Sequence, residues 1–209
     1  MGKKDRERKQ RQQEAKARTS SAANPSLTLV PSPTAQSRHV RLARQLTSTG
    51  FTFRQVKSAS ERAAAIFLIQ NSIPESGSYQ PGPKVALLVA LDLTQAVAGV
   101  AACELTIWNG GSGLQLTVEH LAVDANRQGQ GIGTVLLGMV DQLIPDNTKR
   151  AASKLVVLGG CAVSARSFYQ KAGFRVLPEH AKLPFPFGGG GGNVVNTNTQ
   201  YPCWFAKTV

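Results

Sequence analysis

The sequence has few of the features that mark a secreted or membrane-spanning protein. Its three cysteines, Cys103, Cys161 and Cys203, are odd in number and widely spaced, which argues against a disulfide framework and for a reducing compartment. The first twenty residues are charged throughout, unlike a secretory signal, and the longest apolar run, Val85 to Leu91, is too short to span a bilayer. We therefore expect a soluble, cytoplasmic protein that does not contact the membrane. A nuclear location stays open because the start of the chain is basic.

Acidic residues are scarce, with 12 Asp and Glu against 24 Lys and Arg, and the excess of positive charge lies at the front. Residues 1–44 hold eleven Lys and Arg against three acidic residues, a net of +8 of the total of +12. A segment with so few large apolar residues cannot bury enough surface to fold. The sequence predicts a disordered basic tail over residues 1–44 and one folded domain over residues 45–209. Weak contact of the tail with nucleic acid or the ribosome stays open, and deleting residues 1–44 should abolish it while leaving the folded domain intact.

Metal ligands are also sparse. His39, His120 and His180 show no metal-ligand spacing with one another or with the cysteines, so no metal is expected. Cys161 falls at a predicted strand-to-helix junction with no histidine near it in sequence, which disfavours a cysteine nucleophile.

What is present is a regular alternation of apolar patterns after residue 50. The predicted strands are Phe51 to Val56, Lys84 to Leu91, Ala96 to Trp108, Leu114 to Val123, Lys154 to Leu158, Phe174 to Leu177 and Tyr201 to Lys207. The predicted helices are Ser60 to Gln70, an amphipathic helix from Ile132 to Leu143, and Val163 to Ala172. Asn71 to Pro83 is a long loop, and Gly188 to Gly192 is a flexible link.

A glycine-rich segment, Arg127 to Gly133, separates the fourth strand from the amphipathic helix. Glycines let the backbone approach a ligand, and the unpaired N–H groups of a helix start attract phosphate oxygens. A dinucleotide fold would need a third glycine where Thr134 stands, and a nucleotide P-loop would need Gly-Lys-Ser/Thr. A pyrophosphate loop and a glycine turn without a ligand remain as interpretations.

The fourth strand changes register just before this loop. Leu114, Leu116 and Val118 place apolar residues on even numbers, whereas Leu121 and Val123 continue on odd numbers. A one-residue slip of this kind predicts a β-bulge at Glu119 and His120. Such a bulge would open the sheet and free the backbone of residues 121–123 to pair with a ligand.

These segments resemble the GNAT superfamily of acyl-CoA-dependent N-acyltransferases. Glu119 to Val123 is similar to the family's fourth strand, and Gln128 to Gly133 fits its Q/R-x-x-G-x-G/A pyrophosphate loop. Ala165 to Phe174 fits its A-x-x-F-Y-x-K-x-G-F segment. One departure is Ala162, where the family often has Asn, and Ser164 could supply that polar contact instead.

The resemblance implies an α/β fold with a mixed, largely antiparallel sheet that is splayed between strands 4 and 5 and flanked by helices. It implies acetyl transfer from acetyl-CoA to a primary amine by direct attack, with Glu119 as the base and Tyr169 as the acid. The residues expected to bind acetyl-CoA are Leu121, Ala122, Val123, Gln128, Gly129, Gln130, Gly131, Ile132, Gly133, Thr134, Ser164 and Phe168.

Several alternatives stay open at this stage. His120 could serve as the base instead of Glu119, and Tyr169 could be a packing residue. A small-molecule amine is the preferred acceptor, but a protein N-terminus or a lysine side chain is compatible with the sequence. The acceptor site would be built from residues 71–83 and 178–200. A different class of hypothesis is a non-catalytic acyl-CoA-binding protein with a nucleic-acid-binding tail.

Overall fold

The first element that the structure describes is a helix that the sequence composition did not predict. The structure is a computed structural model, and it describes residues 33–108, 113–152, 154–183 and 194–209. Helix α1, Pro33–Ser48, lies partly within the segment expected to be a disordered tail. Its partly buried Leu42 and Ala43 and its buried Leu46 pack into the main core, so the boundary expected at residue 44 is wrong for residues 33–44. These three apolar residues stabilise the helix by packing against the core, although arginines surround them in the sequence.

The remaining elements follow the predicted order. The strands are β1 Thr52–Gln55, β2 Val85–Leu91, β3 Val97–Trp108, β4 Gly113–Val123, β5 Lys154–Cys161, β6 Arg175–Glu179, β7 Lys182–Leu183, β8 Val194–Val195 and β9 Cys203–Thr208. The further helices are α2 Ala59–Ser72, α3 Ile132–Met139, α4 Asp146–Ala151 and α5 Arg166–Lys171, of which α4 was not predicted. The predicted link Gly188 to Gly192 lies outside the described residues.

Seven of these strands form one mixed sheet in the order β1-β2-β3-β4-β5-β9-β6. All neighbouring strands in it are antiparallel except β4 and β5, which are parallel. Helix α2 packs on one face through the buried residues Ala65 and Ile69, and α3 packs on the other through residues such as Leu136. The predicted fold class, an α/β domain with a largely antiparallel sheet between helices, is confirmed.

Strands β4 and β5 are paired for only part of their length. The parallel register runs from Gly113 opposite Lys154 to Thr117 opposite Leu158 and stops there, although both strands continue. At the point of separation Gly159 must be a glycine, because a Cβ there would lie 2.7 Å from the carbonyl oxygen of Val118. The predicted splay between strands 4 and 5 is therefore present.

The β-bulge predicted in β4 is present as well. Ala102 of β3 lies opposite His120 and the next residue, Cys103, lies opposite Val118, so Glu119 is the additional residue. The core confirms the consequence for the side chains. Leu114, Leu116, Val118, Leu121 and Val123 all pack into the same hydrophobic cluster, although they change from even to odd numbers.

Candidate active site

The glycine-rich segment forms the start of helix α3. Gly131 is the N-cap of this helix with φ 94° and ψ 1°, and Gly129 has φ 78°. Both values lie in the left-handed region that glycine adopts without strain. The first N–H groups of α3 are therefore presented where the chain turns, which is the arrangement that binds anions at a helix start.

A cavity of about 400 Å³ lies beside this helix start and is called the loop cavity below. It is bordered by β4, by the glycine segment and by α5, and its walls are largely backbone and apolar side chains. Eight of the predicted acetyl-CoA residues line it, namely Leu121, Val123, Gln128, Gly129, Gly131, Gly133, Thr134 and Phe168. The side chain of Gln128 also donates a 3.2 Å hydrogen bond to the carbonyl of Val123 and so ties the loop to the end of β4.

Four predicted residues do not line the loop cavity. Ala122 and Ile132 are 3% and 1% exposed and belong to the hydrophobic clusters on the two faces of the sheet. Gln130 and Ser164 are exposed outside the cavity, so the structure does not place Ser164 as a substitute for the family's asparagine. Strand alternation explains Ala122, because its neighbours Leu121 and Val123 point to the opposite face.

A second cavity, of about 420 Å³, occupies the gap between β4 and β5 and is called the splay cavity below. The residues around it come from β4, β5, α5 and the segment before β9. Glu119, His120 and Tyr169, all predicted as candidates for proton transfer, line it together. Leu121 lines both cavities, so the glycine segment and the three candidate groups lie on either side of this residue.

The carboxylate of Glu119 is exposed and is held by one neighbour. Tyr79 donates a 2.7 Å hydrogen bond from its hydroxyl to Oε2 of Glu119. Burial, followed by the hydrogen bond to Glu119, raises the pKa of Tyr79 above its ordinary value, so the phenol stays protonated as a donor. The bulge places this carboxylate at the mouth of the splay rather than on a flat strand face.

His120 lies beside Glu119 but is more enclosed. One ring nitrogen, Nε2, is 2.7 Å from the hydroxyl oxygen of the buried Ser76, and the ring lies 4.1 Å from the ring of Tyr79 between centroids. The other ring nitrogen, Nδ1, is buried. Burial lowers the pKa of His120, and the charge of Glu119 opposes this only in part. The imidazole of His120 is therefore neutral and is fixed by its contacts, whereas the carboxylate of Glu119 is exposed and accessible to a substrate.

Tyr169 is buried with its ring in an aromatic cluster. It is 8% exposed and stacks on Phe205 with ring centroids 3.9 Å apart and an angle of 13° between the planes. Phe168 and Phe174 meet its ring edge-on. Burial raises the pKa of Tyr169, with smaller contributions from Cys161 and Tyr201, so the phenol is fully protonated at neutral pH.

Cys161 also lines the splay cavity, but its environment disfavours a thiolate. Burial, together with the facing Cys203, raises the pKa of the Cys161 thiol to about 11. A nucleophilic cysteine needs the opposite shift. Within the part of the chain that the structure describes, no group of three or more His, Cys, Asp or Glu side chains could hold a metal ion.

Four contributors were not named from the sequence. Tyr79 and Ser76 come from the loop between residues 71 and 83, which was expected to be functional but gave no pattern to single them out. Tyr201 lines the splay cavity and donates a 2.9 Å hydrogen bond to Glu75, which joins the segment before β9 to the same loop. A fourth, Arg38, enters the loop cavity from α1.

The fold, the splayed strands and the glycine-rich helix start are the features that the resemblance to the GNAT superfamily predicts. Residues 83–176 match the family model described as the acetyltransferase (GNAT) domain, which agrees with the resemblance. No curated protein matches it in sequence. The fold is similar to an aminoglycoside acetyltransferase from an uncultured soil metagenomic sample, at 15% identity over 65% of this chain and 99% of that one, with a TM-score of 0.51.

The fold is similar as well to a chain of the NatC complex bound to Gag peptide and CoA. The identity is 13% over 77% of this chain and 98% of that one, with a TM-score of 0.50. At these identities the two likenesses establish the fold. None of the helices within residues 33–108, 113–152, 154–183 and 194–209 has both the length and the apolar character required to cross a bilayer.

Proposed function

We propose that this protein transfers the acetyl group of acetyl-CoA to a primary amine. The observation that carries the proposal is that the two cavities lie next to each other and share Leu121 as a lining residue. One cavity borders a helix start suited to a pyrophosphate, and the other holds a carboxylate and a phenol. A long ligand with phosphates at one end and a thioester at the other would fit this arrangement.

The cavity walls agree with such a ligand. The glycine segment leaves space for phosphate oxygens, since a Cβ at Gly129 would meet no heavy atom within 4 Å. The paired length of β4 and β5 ends at Thr117, which leaves the backbone edge of residues 118–123 open for the amides of the pantetheine arm. We assign the pyrophosphate to the segment Gln128 to Thr134, and the ring of Phe168 to the wall beside the arm.

The proposed reaction forms one C–N bond and breaks one C–S bond. The amine attacks the thioester carbonyl carbon, and its proton passes to the carboxylate of Glu119. A lysine-type amine has a reference pKa of about 10.4, so near neutral pH only about one molecule in a thousand is the free base. Glu119 is preferred over His120 as the base because its carboxylate is exposed, whereas both nitrogens of His120 are bonded or buried.

The departing sulfur of CoA needs a proton or a hydrogen bond as its negative charge develops. Tyr169 is assigned this role because it lines the splay cavity and its raised pKa keeps its hydroxyl protonated. The resemblance supports this assignment of Tyr169, and the stacking on Phe205 fixes the orientation of its ring.

We propose a small-molecule amine as the acceptor. The splay cavity, of about 420 Å³, falls in the size range of small-ligand sites, which is about 300–1,000 Å³. The hydrogen bond from Tyr201 to Glu75 joins the two segments that border it and would obstruct an extended peptide. The carboxylate of Glu119, which lines this cavity, favours a cationic acceptor over an anionic one.

A thiol-release assay tests activity and acceptor class together. The full chain is incubated with acetyl-CoA and, in parallel, with polyamines, aminoglycosides, peptides with free N-termini and lysine peptides. Aminoglycosides are included because a protein of the same fold is an aminoglycoside acetyltransferase. Free CoA formed with a small amine and absent with peptides supports the proposal. Free CoA formed with peptides alone would mean that the acceptor is a peptide amine and not a small molecule. Binding of acetyl-CoA without formation of free CoA in any arm would support a non-catalytic acetyl-CoA-binding protein.

A further inference from the structure

Helix α1 lies directly over the glycine segment of the proposed acetyl-CoA site. Pro33–Ser48 precedes residues 83–176, the part of the chain that matches the GNAT domain. Its partner is α3, the helix whose start carries the proposed pyrophosphate site. Helix α1 therefore reaches the proposed site from a part of the chain that precedes the matched residues.

The contact between α1 and α3 is close and uses two glycines. A Cβ at Gly131 would lie 3.1 Å from Cδ2 of Leu42, and a Cβ at Gly138 would overlap the ring of His39. Leu42 and His39 are three residues apart and therefore share one face of α1. The buried Leu46, one turn further on, continues this face into the core. The position of α1 relative to the glycine segment is therefore fixed by packing rather than by surface contact alone.

Arg38 sits one turn before Leu42 on the same helix, at the edge of this packed face. Its exposed side chain lines the loop cavity together with Gln128, Gly129, Gly131, Gly133 and Thr134. No other cationic side chain is among the described residues that line this cavity. The neighbouring Arg41 is also exposed and does not line it.

We propose that Arg38 contacts the pyrophosphate of acetyl-CoA, so that helix α1 forms one wall of the acetyl-CoA site. The chemistry is a guanidinium beside phosphate oxygens, where charge-assisted hydrogen bonds are stronger than neutral ones. The helix start of α3 supplies N–H donors on one side, and Arg38 supplies a full positive charge on the other. This inference rests on the proposed function, because it needs acetyl-CoA as the ligand.

A deletion that removes part of α1 should therefore affect acetyl-CoA binding. Removing residues 1–44 deletes Arg38 and Leu42, so acetyl-CoA binding should weaken in that variant, although the sequence alone predicts that this deletion leaves the folded domain intact. Removing residues 1–32 leaves α1 in place and is the deletion that isolates the role of the charged start.

Isothermal titration calorimetry on the full chain tests the contact. The dissociation constants of CoA, of 3′-dephospho-CoA and of pantetheine are measured for the parent, for Arg38→Ala and for the matched control Arg41→Ala. We expect Arg38→Ala to weaken CoA and 3′-dephospho-CoA equally, by roughly tenfold, because both carry the pyrophosphate. Pantetheine, which has no phosphate, should bind the parent and Arg38→Ala alike. Arg41→Ala should match the parent with all three ligands.

Each of the other outcomes contradicts one part of the proposal. Unchanged CoA binding by Arg38→Ala, or an equal loss in Arg41→Ala, removes Arg38 from the site. A loss seen with CoA but not with 3′-dephospho-CoA moves the contact to the 3′-phosphate and contradicts the pyrophosphate assignment. If the parent itself binds no CoA, both the proposed function and the Arg38 contact fail. CoA binding by the parent that is unchanged in Arg38→Ala contradicts only the Arg38 contact. Circular dichroism melting of Arg38→Ala confirms that the exposed substitution leaves the fold intact.

Discussion

The hydroxyl of Tyr79 lies 2.7 Å from Oε2 of Glu119 and donates a hydrogen bond to it, which ties the loop after α2 to the bulge of β4. The same tyrosine ring packs against His120 at 4.1 Å between centroids. One side chain therefore contacts both residues of the bulge that were candidates for the base. Because the pKa of Tyr79 is raised by burial and by Glu119, it remains a donor over the whole neutral range. We assign Tyr79 as a positioning residue for Glu119.

Tyr79→Phe tests this role, since it keeps the ring against His120 and removes only the donor. Losing one hydrogen bond to a charged group costs about 1.5–3 kcal/mol in a buried setting, and the exposure of Glu119 reduces that. We expect kcat to fall by roughly tenfold with KM for acetyl-CoA unchanged. Steady-state kinetics with both substrates varied gives the two constants. A rise in KM for acetyl-CoA at constant kcat would contradict the assignment.

Glu119→Gln should lower turnover in a pH-dependent way. Near neutral pH the amine acceptor is mostly protonated and needs a base, whereas near its own pKa of about 10 it is largely free. The ratio of parent to variant kcat/KM should therefore be largest near pH 7 and shrink toward pH 9.5. Glu179→Gln is the matched control, because Glu179 is exposed on β6 and lines neither cavity. A ratio that stays constant across this range would indicate a structural loss instead.

His120 should give the stability of the fold a dependence on pH. Burial lowers its pKa below the reference value of 6.5, so the unfolded chain binds more protons than the folded one as pH falls below about 6.5. The free energy of unfolding should decrease from pH 7 toward pH 5, and His120→Gln should flatten this part of the curve. Urea unfolding at several pH values measures the slope, with pH 8 as the reference for each protein. An unchanged slope in the variant would mean that other groups produce the dependence.

Much of this site could be predicted because it depends on local pattern. The change from even to odd apolar residues in β4 indicates a bulge directly, since side chains in a strand alternate, and the pairing of Ala102 with His120 and of Cys103 with Val118 confirms it. The glycines at 129 and 131 have positive φ, as their place before a helix indicates. The bulge and the two glycines depend on residues that are consecutive in the sequence, so they can be predicted without knowledge of any long-range contact.

What could not be predicted depends on packing between distant segments. Tyr79 contacts Glu119, which lies 40 positions further along the chain, and nothing in the loop sequence indicates that the side chain of Tyr79 reaches it. Helix α1 has a weak apolar face, and its partner surface on α3 exists only because two glycines leave room for Leu42 and His39. Ser164 illustrates the reverse case, because a polar residue near the right position in sequence turns out to be exposed elsewhere.

The pyrophosphate assignment is best tested at Gly129. At Gly131 a new side chain would clash with Leu42 and would confuse misfolding with loss of binding, whereas a Cβ at Gly129 meets nothing within 4 Å. Asn tolerates the positive φ of this position better than other residues. Gly129→Asn should melt near the parent temperature, yet acetyl-CoA should no longer raise that temperature as it does for a folded binder. Gly82→Asn, also in open space but outside both cavities, is the control, and an undiminished shift in Gly129→Asn would refute the assignment.

Tyr169→Phe tests the proposal that Tyr169 is the acid for the departing thiol. With free cysteine as a stand-in for CoA, the thiol pKa of about 8.5 lies below the tyrosine value of about 10, so full proton transfer is uphill by roughly 2 kcal/mol. Burial raises the pKa of Tyr169 further, which makes the transfer still less favourable. Tyr169 should therefore act mainly by donating a hydrogen bond to the sulfur as charge develops. Its effect should fall near the lower end of the range of about 10²- to 10⁴-fold for positioned proton transfer.

The stacking of Tyr169 on Phe205 makes the phenylalanine variant a clean test, because the ring contact at 3.9 Å is kept and only the hydroxyl is lost. We expect turnover to fall about 10²-fold while the dissociation constant of acetyl-CoA and the melting temperature stay near the parent values. Tyr169→Leu removes the stacked ring as well and should also lower the melting temperature. Turnover of Tyr169→Phe within a few-fold of the parent would make Tyr169 a packing residue. A large loss of acetyl-CoA affinity in the same variant would make the hydroxyl a binding group, because an acid that acts only on the departing sulfur contributes nothing to the ground-state complex.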